Sequence, residues 1–329
     1  CMQRTDGLIT LDDLENYQPV ERKSITFHYR GYEVHSMAPS SSGGVAIAGI
    51  LNQLENIHLD SLKYHSAQHI HYVSEAERRG YADRAEFLGD IDFVPVPINK
   101  LISDEYAQVR WSSVESFKAT PSADITHGNM PFSYLESEET THYSVVDKWG
   151  NAVSVTTTIN GWFGNGIIVD GAGFLLNNEM NDFSAKPGVP NVYGLVGNTA
   201  NAIEPRKRML SSMSPTIVET PEGELFLVIG SPGGSTIITT IAQIIMNVVD
   251  FGMDIEDAVE SPRFHHQWFP DMIQVEERGF SSETIHALEA RGHSIIVRGS
   301  IGEANCIQIK GDHMFGASDS RRNSRAIGY

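Results

Sequence analysis

The chain has 329 residues, 40% hydrophobic and 20% charged, a balance that supports a large buried core and excludes intrinsic disorder. Its 42 acidic and 24 basic side chains leave a net charge of −18, which argues against nucleic acid and anionic membrane surfaces as partners. Two cysteines, Cys1 and Cys306, exclude a disulfide framework and the cysteine-rich zinc patterns, and no apolar run is long enough for a membrane span.

Residues 1–20 carry no basic-then-apolar leader and read as a mid-protein turn and helix start, so the chain is expected to begin at an internal cut of a longer protein. Thr10 is a predicted N-cap, with Asp12 and Asp13 in the first turn behind it. Residues 24–36 read as two short strands around Arg30-Gly31. Ser40-Ser41-Ser42-Gly43-Gly44 leads into an apolar helix that runs through Leu54. A second helix is expected over about 66–88, with Glu75, Glu77, Arg78, Arg79, Asp83, Arg84 and Glu86 as opposed charges at helical spacing. His65, His69 and His71 fall near its start. The first pair has the i, i+4 spacing of two zinc ligands, but a zinc site wants a third, and surface or core histidines are the simpler reading. Residues 113–139, rich in Ser, Pro, Asp, Gly and Glu, predict a long surface loop.

At Thr140 the pattern changes. Residues 142–146 and 151–158 are strand-like runs joined by Asp147-Lys148-Trp149-Gly150, a hairpin signal. Further strands are expected near 167–176, over 214–219 and over 224–229. The last leads through Gly230-Ser231-Pro232-Gly233-Gly234 into a helix over 235–250. Helices near 254–260 and 282–291 precede strands at 294–298, 305–309 and 313–316. Antiparallel sheet with helices at its margins predicts a layered α+β fold.

Three segments carry candidate chemistry. A threonine hydroxyl becomes an effective nucleophile when a base lies beside it, and a terminal threonine can use its own α-amine. Thr140, within Glu139-Thr140-Thr141-His142-Tyr143, would gain that amine from a cut before it, although a Thr-Thr pair opening a strand by itself reads as β-propensity. Gly233 and Gly234 lie between strand and helix, where backbone N–H groups can hold a developing oxyanion; a plain tight turn has the same signature. Ser211-Ser212, after Pro205-Arg206-Lys207-Arg208, and Asn160 offer hydroxyls and an amide to a carboxylate, while Asp182 offers a partner to an ammonium. Together they complement a zwitterionic amino-acid head; singly, each reads as a turn or cap residue. No P-loop or dinucleotide fingerprint is present.

Four longer runs bring these segments together: Thr140-Thr141-His142-Tyr143-Ser144-Val145-Val146-Asp147, Leu176-Asn177-Asn178-Glu179-Met180-Asn181-Asp182-Phe183, Leu210-Ser211-Ser212-Met213-Ser214-Pro215-Thr216 and Gly230-Ser231-Pro232-Gly233-Gly234. In this order they resemble the γ-glutamyltransferase family, and the resemblance covers essentially the whole chain. It implies the four-layer αββα sandwich of N-terminal-nucleophile hydrolases. It also implies self-cleavage between Glu139 and Thr140. Residues 1–139 would then be the C-terminal part of a large subunit, ending in an exposed processing loop, and residues 140–329 the small subunit.

By motif, the resemblance makes Thr140 the nucleophile and Thr158 the hydroxyl that orients it. Gly233 and Gly234 become the oxyanion hole. Asn160, Glu179 and Asp182 would hold the substrate's α-ammonium, with Glu179 standing where some relatives have Gln. Ser211 and Ser212 would hold its α-carboxylate, and the run 187–197, with Tyr193 inside it, matches a lid loop. Pro262-Arg263-Phe264-His265-His266-Gln267-Trp268 also matches the family, with a structural role for the two histidines. The implied reaction passes the γ-glutamyl group of glutathione or a related compound through an ester on Thr140 to water or an acceptor amino acid. It needs no metal or organic cofactor and implies a periplasmic or secreted location.

The family takes its carboxylate-binding arginine from the N-terminal half of the large subunit, so no residue here receives that role by motif; Arg206 and Arg208, beside the serine pair, are the candidate stand-ins. That missing half is an expected partner, and apolar surface meant for it predicts self-association. The alternatives are a related amidase, such as a cephalosporin-type acylase or a poly-γ-glutamate depolymerase, and a truncated, non-catalytic remnant.

Overall fold

In a computed structural model, residues 1–125, 140–191 and 194–328 are described. The alternating residues Ile25, Phe27 and Tyr29 become the buried face of β1 (Ile25–Tyr29), which turns through Arg30 and Gly31, both at positive φ, into β2 (Tyr32–Ser36). These strands join β5 (Thr216–Glu219), β6 (Leu225–Ile229), β10 (Asn305–Lys310) and β11 (His313–Ser318) in one six-stranded sheet of order β1-β2-β5-β6-β10-β11. Every pairing in it is antiparallel. A hairpin of β3 (Thr141–Val146) and β4 (Ala152–Thr157) lies against β5, β6 and β10. A smaller sheet holds β7 (Phe264–His265), β8 (Ile273–Glu276) and β9 (Ile295–Arg298).

Three long helices cover the main sheet. α2 (Gly43–Leu54) is almost wholly buried, packs on β1 and β2, and is flanked by α3 (Ala67–Phe87) and α6 (Thr236–Val249). α2 and α6 are apolar on nearly every side, so both have to be enclosed. The shorter helices are α1 (Leu11–Asn16), α4 (Ile98–Leu101), α5 (Asp104–Trp111), α7 (Ile255–Glu260) and α8 (Ser282–Glu289). The α+β class is the one expected. The helix, sheet and sheet layers are present, and among the described residues no helix covers the outer face of β3–β4, where Tyr143, Val145 and Val153 are half exposed.

Thr10 caps α1 as expected, in a reciprocal box with Asp13. The expected strand near 167–176 is reduced to a single bridge, Ile168 to Leu175, because Gly171 and Gly173 adopt positive φ and fold the segment into turns. Of the expected loop at 113–139, residues 126–139 lie outside the described residues. The charges of α3 do not form a solvated face: Glu75 pairs with Arg79 at 2.6 Å and Arg78 at 3.4 Å, all of them buried. Arg78 also reaches Asp271, and Glu77 accepts from the His266 amide and the Gln243 side chain.

The histidine trio does not assemble. His65 and His69 stack among Tyr64, Phe251, Phe264 and Phe280. His71, two positions past His69, points to the opposite side of the helix, where it meets His293 at 2.8 Å and the Glu115 carbonyl at 2.8 Å. His71, Glu75 and His293 come close enough to hold a cation, but their lone pairs are taken. Arg78 donates to His293 Nδ1, His293 Nε2 to His71 Nδ1, and His71 Nε2 to the carbonyl, while Glu75 is neutralised by two arginines.

Candidate active site

The hairpin sets the first two groups. Its register pairs Thr141 with Thr157, so Thr140 and Thr158 sit beside each other one residue beyond the ladder, and both line an open cleft. Side-chain hydrogen bonds pin the hairpin to β6 and β10. Ser144 Oγ donates toward the carbonyls of Val228 (3.3 Å) and Asn305 (3.0 Å), and Ser154 Oγ to that of Ile229 (3.0 Å). The His142 ring lies flush against Gly230, where a Cβ would come within 2.2 Å of it, so only glycine fits there. Burial holds His142 down at about 4, so it is neutral, and its nitrogens engage Thr156 and Ser144. It positions the hairpin and is not a base.

β6 delivers the glycine turn. Gly233 and Gly234 have φ of 134° and 53°, and the turn closes by Thr236 N–H and Oγ donating to the Gly233 carbonyl at 2.9 and 2.7 Å. The N–H groups of Gly233 and Gly234 meet no protein acceptor among the described residues, and they sit at the positive end of α6. Gly234 lines the cleft. Ser235 next to it is held from below, its carbonyl by the Tyr81 hydroxyl and its hydroxyl by Gln267 at 2.6 Å.

Ser211 and Ser212 reach the cleft through a parallel bridge to Ser41, with Ser211 N–H donating to the Ser40 carbonyl and Ser42 N–H to the Ser211 carbonyl. Asn160, buried at φ 70°, donates from Nδ2 to the Asn178 carbonyl at 3.2 Å and from its amide to Thr158 Oγ at 2.9 Å. Asp182 ends a 3₁₀ turn that begins at Glu179. Asn201, which no motif marked, fixes Asp182 relative to the serines, donating to the Asp182 carbonyl at 2.7 Å and accepting from Leu210 N–H at 3.0 Å.

The electrostatics of the cleft are unusual. Asp182 Oδ1 is buried with no hydrogen-bond partner among the described residues, and burial pushes the carboxyl up to about 7 against the pull of Arg84. Glu179 is pushed up to about 7 by burial and then by Asp182, and it is not among the residues that line the cleft. Arg84, from α3, does line it, and burial pushes its guanidinium down to about 10. Neither expected stand-in does. Arg206 is exposed, and Arg208 turns to the Gln18 carbonyl and Asp92. The sequence signal for Arg84 was present but unresolved, one charge among seven on a helix with too little apolar surface on any face.

Asn191 and Leu195 bring the segment 187–197 to the cleft, while Tyr193 lies outside the described residues. His265 and His266 are buried far from solvent, His265 against Thr239 at 2.8 Å and Gln267 at 2.8 Å, in keeping with a structural role.

Residues 1–329 match the model of the gamma-glutamyltranspeptidase family. The chain is 51% identical to the glutathione hydrolase proenzyme of Escherichia coli (strain K12), over 97% of its own length and 55% of that protein's. The solved gamma-glutamyltranspeptidase T380A mutant of Helicobacter pylori superposes on 55% of this chain and all of its own, at 54% identity and a TM-score of 0.54. The cephalosporin acylase of Bacillus halodurans follows 100% of this chain with 57% of its own, at a TM-score of 0.80; at 24% identity that likeness shows the fold alone.

Proposed function

The chain belongs to the γ-glutamyltranspeptidase family, and from that premise we propose that it carries the site for hydrolysis and transfer of γ-glutamyl groups, with glutathione as donor. It spans 55% of the length of the E. coli relative, so the whole protein's activity is part of this proposal. One observation carries it. A single cleft gathers a threonine at a strand start, Gly234 of a glycine pair whose N–H groups meet no acceptor among the described residues, a buried carboxylate oxygen with no partner among them, and a serine pair beside a cation.

Cleavage between Glu139 and Thr140 gives Thr140 a free α-amine. That amine takes the Oγ proton as Oγ attacks the γ-carbonyl carbon, and the N–H groups of Gly233 and Gly234 receive the oxyanion. Collapse of the intermediate expels the amine, which takes the proton back from the α-ammonium and leaves a γ-glutamyl ester. Water, or an acceptor amino acid, then attacks the ester by the same route. Thr158 orients the nucleophile, Asp182 with Asn160 and Glu179 holds the α-ammonium, and Ser211 and Ser212 hold the α-carboxylate. Asn191 and Leu195 in the cleft support a lid role for 187–197, with Tyr193 in it.

The subunit division at Thr140, the periplasmic or secreted location and the part in glutathione metabolism belong to the same proposal. So does a partner segment over the half-exposed Tyr143, Val145 and Val153, without which the chain self-associates.

Intact-mass analysis tests the cleavage. The expected products have 139 and 190 residues (329 − 139 = 190), and Thr140→Ala should give one uncut mass. Cutting that survives in Thr140→Ala would move the nucleophile elsewhere. Turnover of glutaryl anilides in preference to γ-glutamyl anilides would favour an acylase. A folded, uncut wild-type chain that turns over neither would be a non-catalytic remnant.

A further inference from the structure

The glycine turn is held by two hydroxyls to which the motifs assign no role. Gly233 and Gly234 take φ of 134° and 53°. Glycine reaches such angles freely and leaves them as freely, and the peptide between the two has no Cβ on either side to hold its orientation. Hydrogen bonds on the peptide carbonyls hold it instead. A trans peptide is planar, so its carbonyl and the N–H of the following residue point opposite ways, and fixing one aims the other. The carbonyl that shares a peptide with the Gly234 N–H is that of Gly233, which accepts from Thr236 N–H at 2.9 Å and from Thr236 Oγ at 2.7 Å. The carbonyl that shares a peptide with the Gly233 N–H is that of Pro232, which accepts from Ser231 Oγ at 2.6 Å. Ser231 Oγ itself accepts from Glu303 N–H at 2.9 Å, which leaves its own proton for the Pro232 carbonyl. Ser231 and Thr236 are both fully buried, so bulk water does not replace a lost hydroxyl.

Both carbonyls are thus drawn into the protein, and the two N–H groups at the other ends of the same peptides meet no protein acceptor among the described residues. A peptide turned over at either place would present a carbonyl oxygen where a donor is needed and would repel a developing oxyanion. Resting on the function proposed above, we infer that Ser231 and Thr236 are positioning residues of the oxyanion hole. Each hydroxyl holds the carbonyl of one peptide so that the N–H at its other end stays available to the reacting oxygen.

The test removes each hydroxyl alone. Thr236→Val keeps the shape and the backbone donor, and Ser231→Ala keeps the backbone of the turn. With γ-glutamyl p-nitroanilide each should lower kcat by roughly 5- to 30-fold, the worth of a buried hydrogen bond, and leave KM within about twofold, because the amino-acid head is held by other residues. Thr236→Ser, which restores the hydroxyl, should recover kcat to within about threefold of wild type. Folded variants with a wild-type kcat, a loss that falls on KM instead, or a Thr236→Ser variant no better than Thr236→Val would overturn the inference and leave the proposed function intact. Either site decides the matter if the variant at the other does not fold. If the wild-type chain does not hydrolyse the anilide, the proposed function has failed, and crystal structures of the two variants then judge the hydroxyls alone. The Gly233 carbonyl in Thr236→Val, or the Pro232 carbonyl in Ser231→Ala, should turn away from its wild-type direction. Both carbonyls staying in place overturns the inference.

Discussion

Replacing Asp182 by asparagine removes one charge from the cleft and changes its volume little. The carboxyl is raised to about 7 by burial, and Oδ1 has no hydrogen-bond partner among the described residues. In the proposed mechanism the substrate's ammonium supplies that partner and displaces the proton. The sign follows directly. The pKa lies above its ordinary 3.8 and the bound form needs the carboxylate, so affinity weakens up to about tenfold for each unit below pH about 7 and levels off above it. A desolvated ammonium left without its carboxylate costs about 3–5 kcal/mol. At about 1.4 kcal/mol per decade, Asp182→Asn should raise KM for γ-glutamyl p-nitroanilide by roughly 10²- to 10³-fold, with a smaller change in kcat. Initial rates from about pH 5 to about pH 9 measure both the size and the slope. A KM within about threefold of wild type, or an unaltered pH profile, would refute the placement of the ammonium at Asp182.

Thr158→Ala should lower kcat by roughly 10- to 100-fold and leave KM nearly unchanged, because the proposed mechanism uses it to orient the nucleophile and not to hold the amino-acid head; steady-state kinetics separate the two. Gly233→Ala should lower kcat by roughly 10²- to 10³-fold, since its Cβ would lie 2.5 Å from Thr236 Oγ and 3.2 Å from Gly302 Cα and would shift the N–H it displays. Arg263→Ala should cost about 3–5 kcal/mol of stability, read as a lower urea midpoint, because buried Arg263 pairs with Asp319 at 2.7 Å and also donates to the carbonyls of Ile301 and Val259. Burial holds His65, His69, His142, His265, His266 and His293 at about 3 to about 4, below their ordinary 6.5. Unfolding therefore takes up protons in that window, and stability should fall with falling pH between about 6.5 and about 4, by up to about 1.4 kcal/mol per pH unit for each histidine. A urea midpoint that stays flat there would contradict it.

The sequence alone determined what depends on neighbours along the chain. The β1–β2 and β3–β4 hairpins, the Thr10 cap, the apolar helices α2 and α6, and the strand–glycine–helix turn at 230–236 all follow from local period and turn chemistry. The motif runs marked Thr140, Asp182, the serine pair and the glycine pair and by resemblance assigned them to one substrate; the fold brings Thr140, Asp182, the serine pair and Gly234 to one cleft. The turns at 167–176 were misread because Ile168 and Leu175 have strand character while Gly171 and Gly173 decide the backbone. Glu179 and Asp182 are acids of the same motif run, and only the tertiary structure shows that Asp182, at the end of the 3₁₀ turn, lines the cleft while Glu179 does not. The charges of α3 were legible as charges, but not where they go. Glu77 meets His266 and Arg78 meets Asp271 across separations of 189 and 193 residues, and Arg84 meets Ser212 across 128. A charge on a helix is stable either in water or buried against partners, and local sequence is the same in both cases. Only the packing of α3 between the segments before and after Thr140 chose burial, and so placed a cation beside the serine pair.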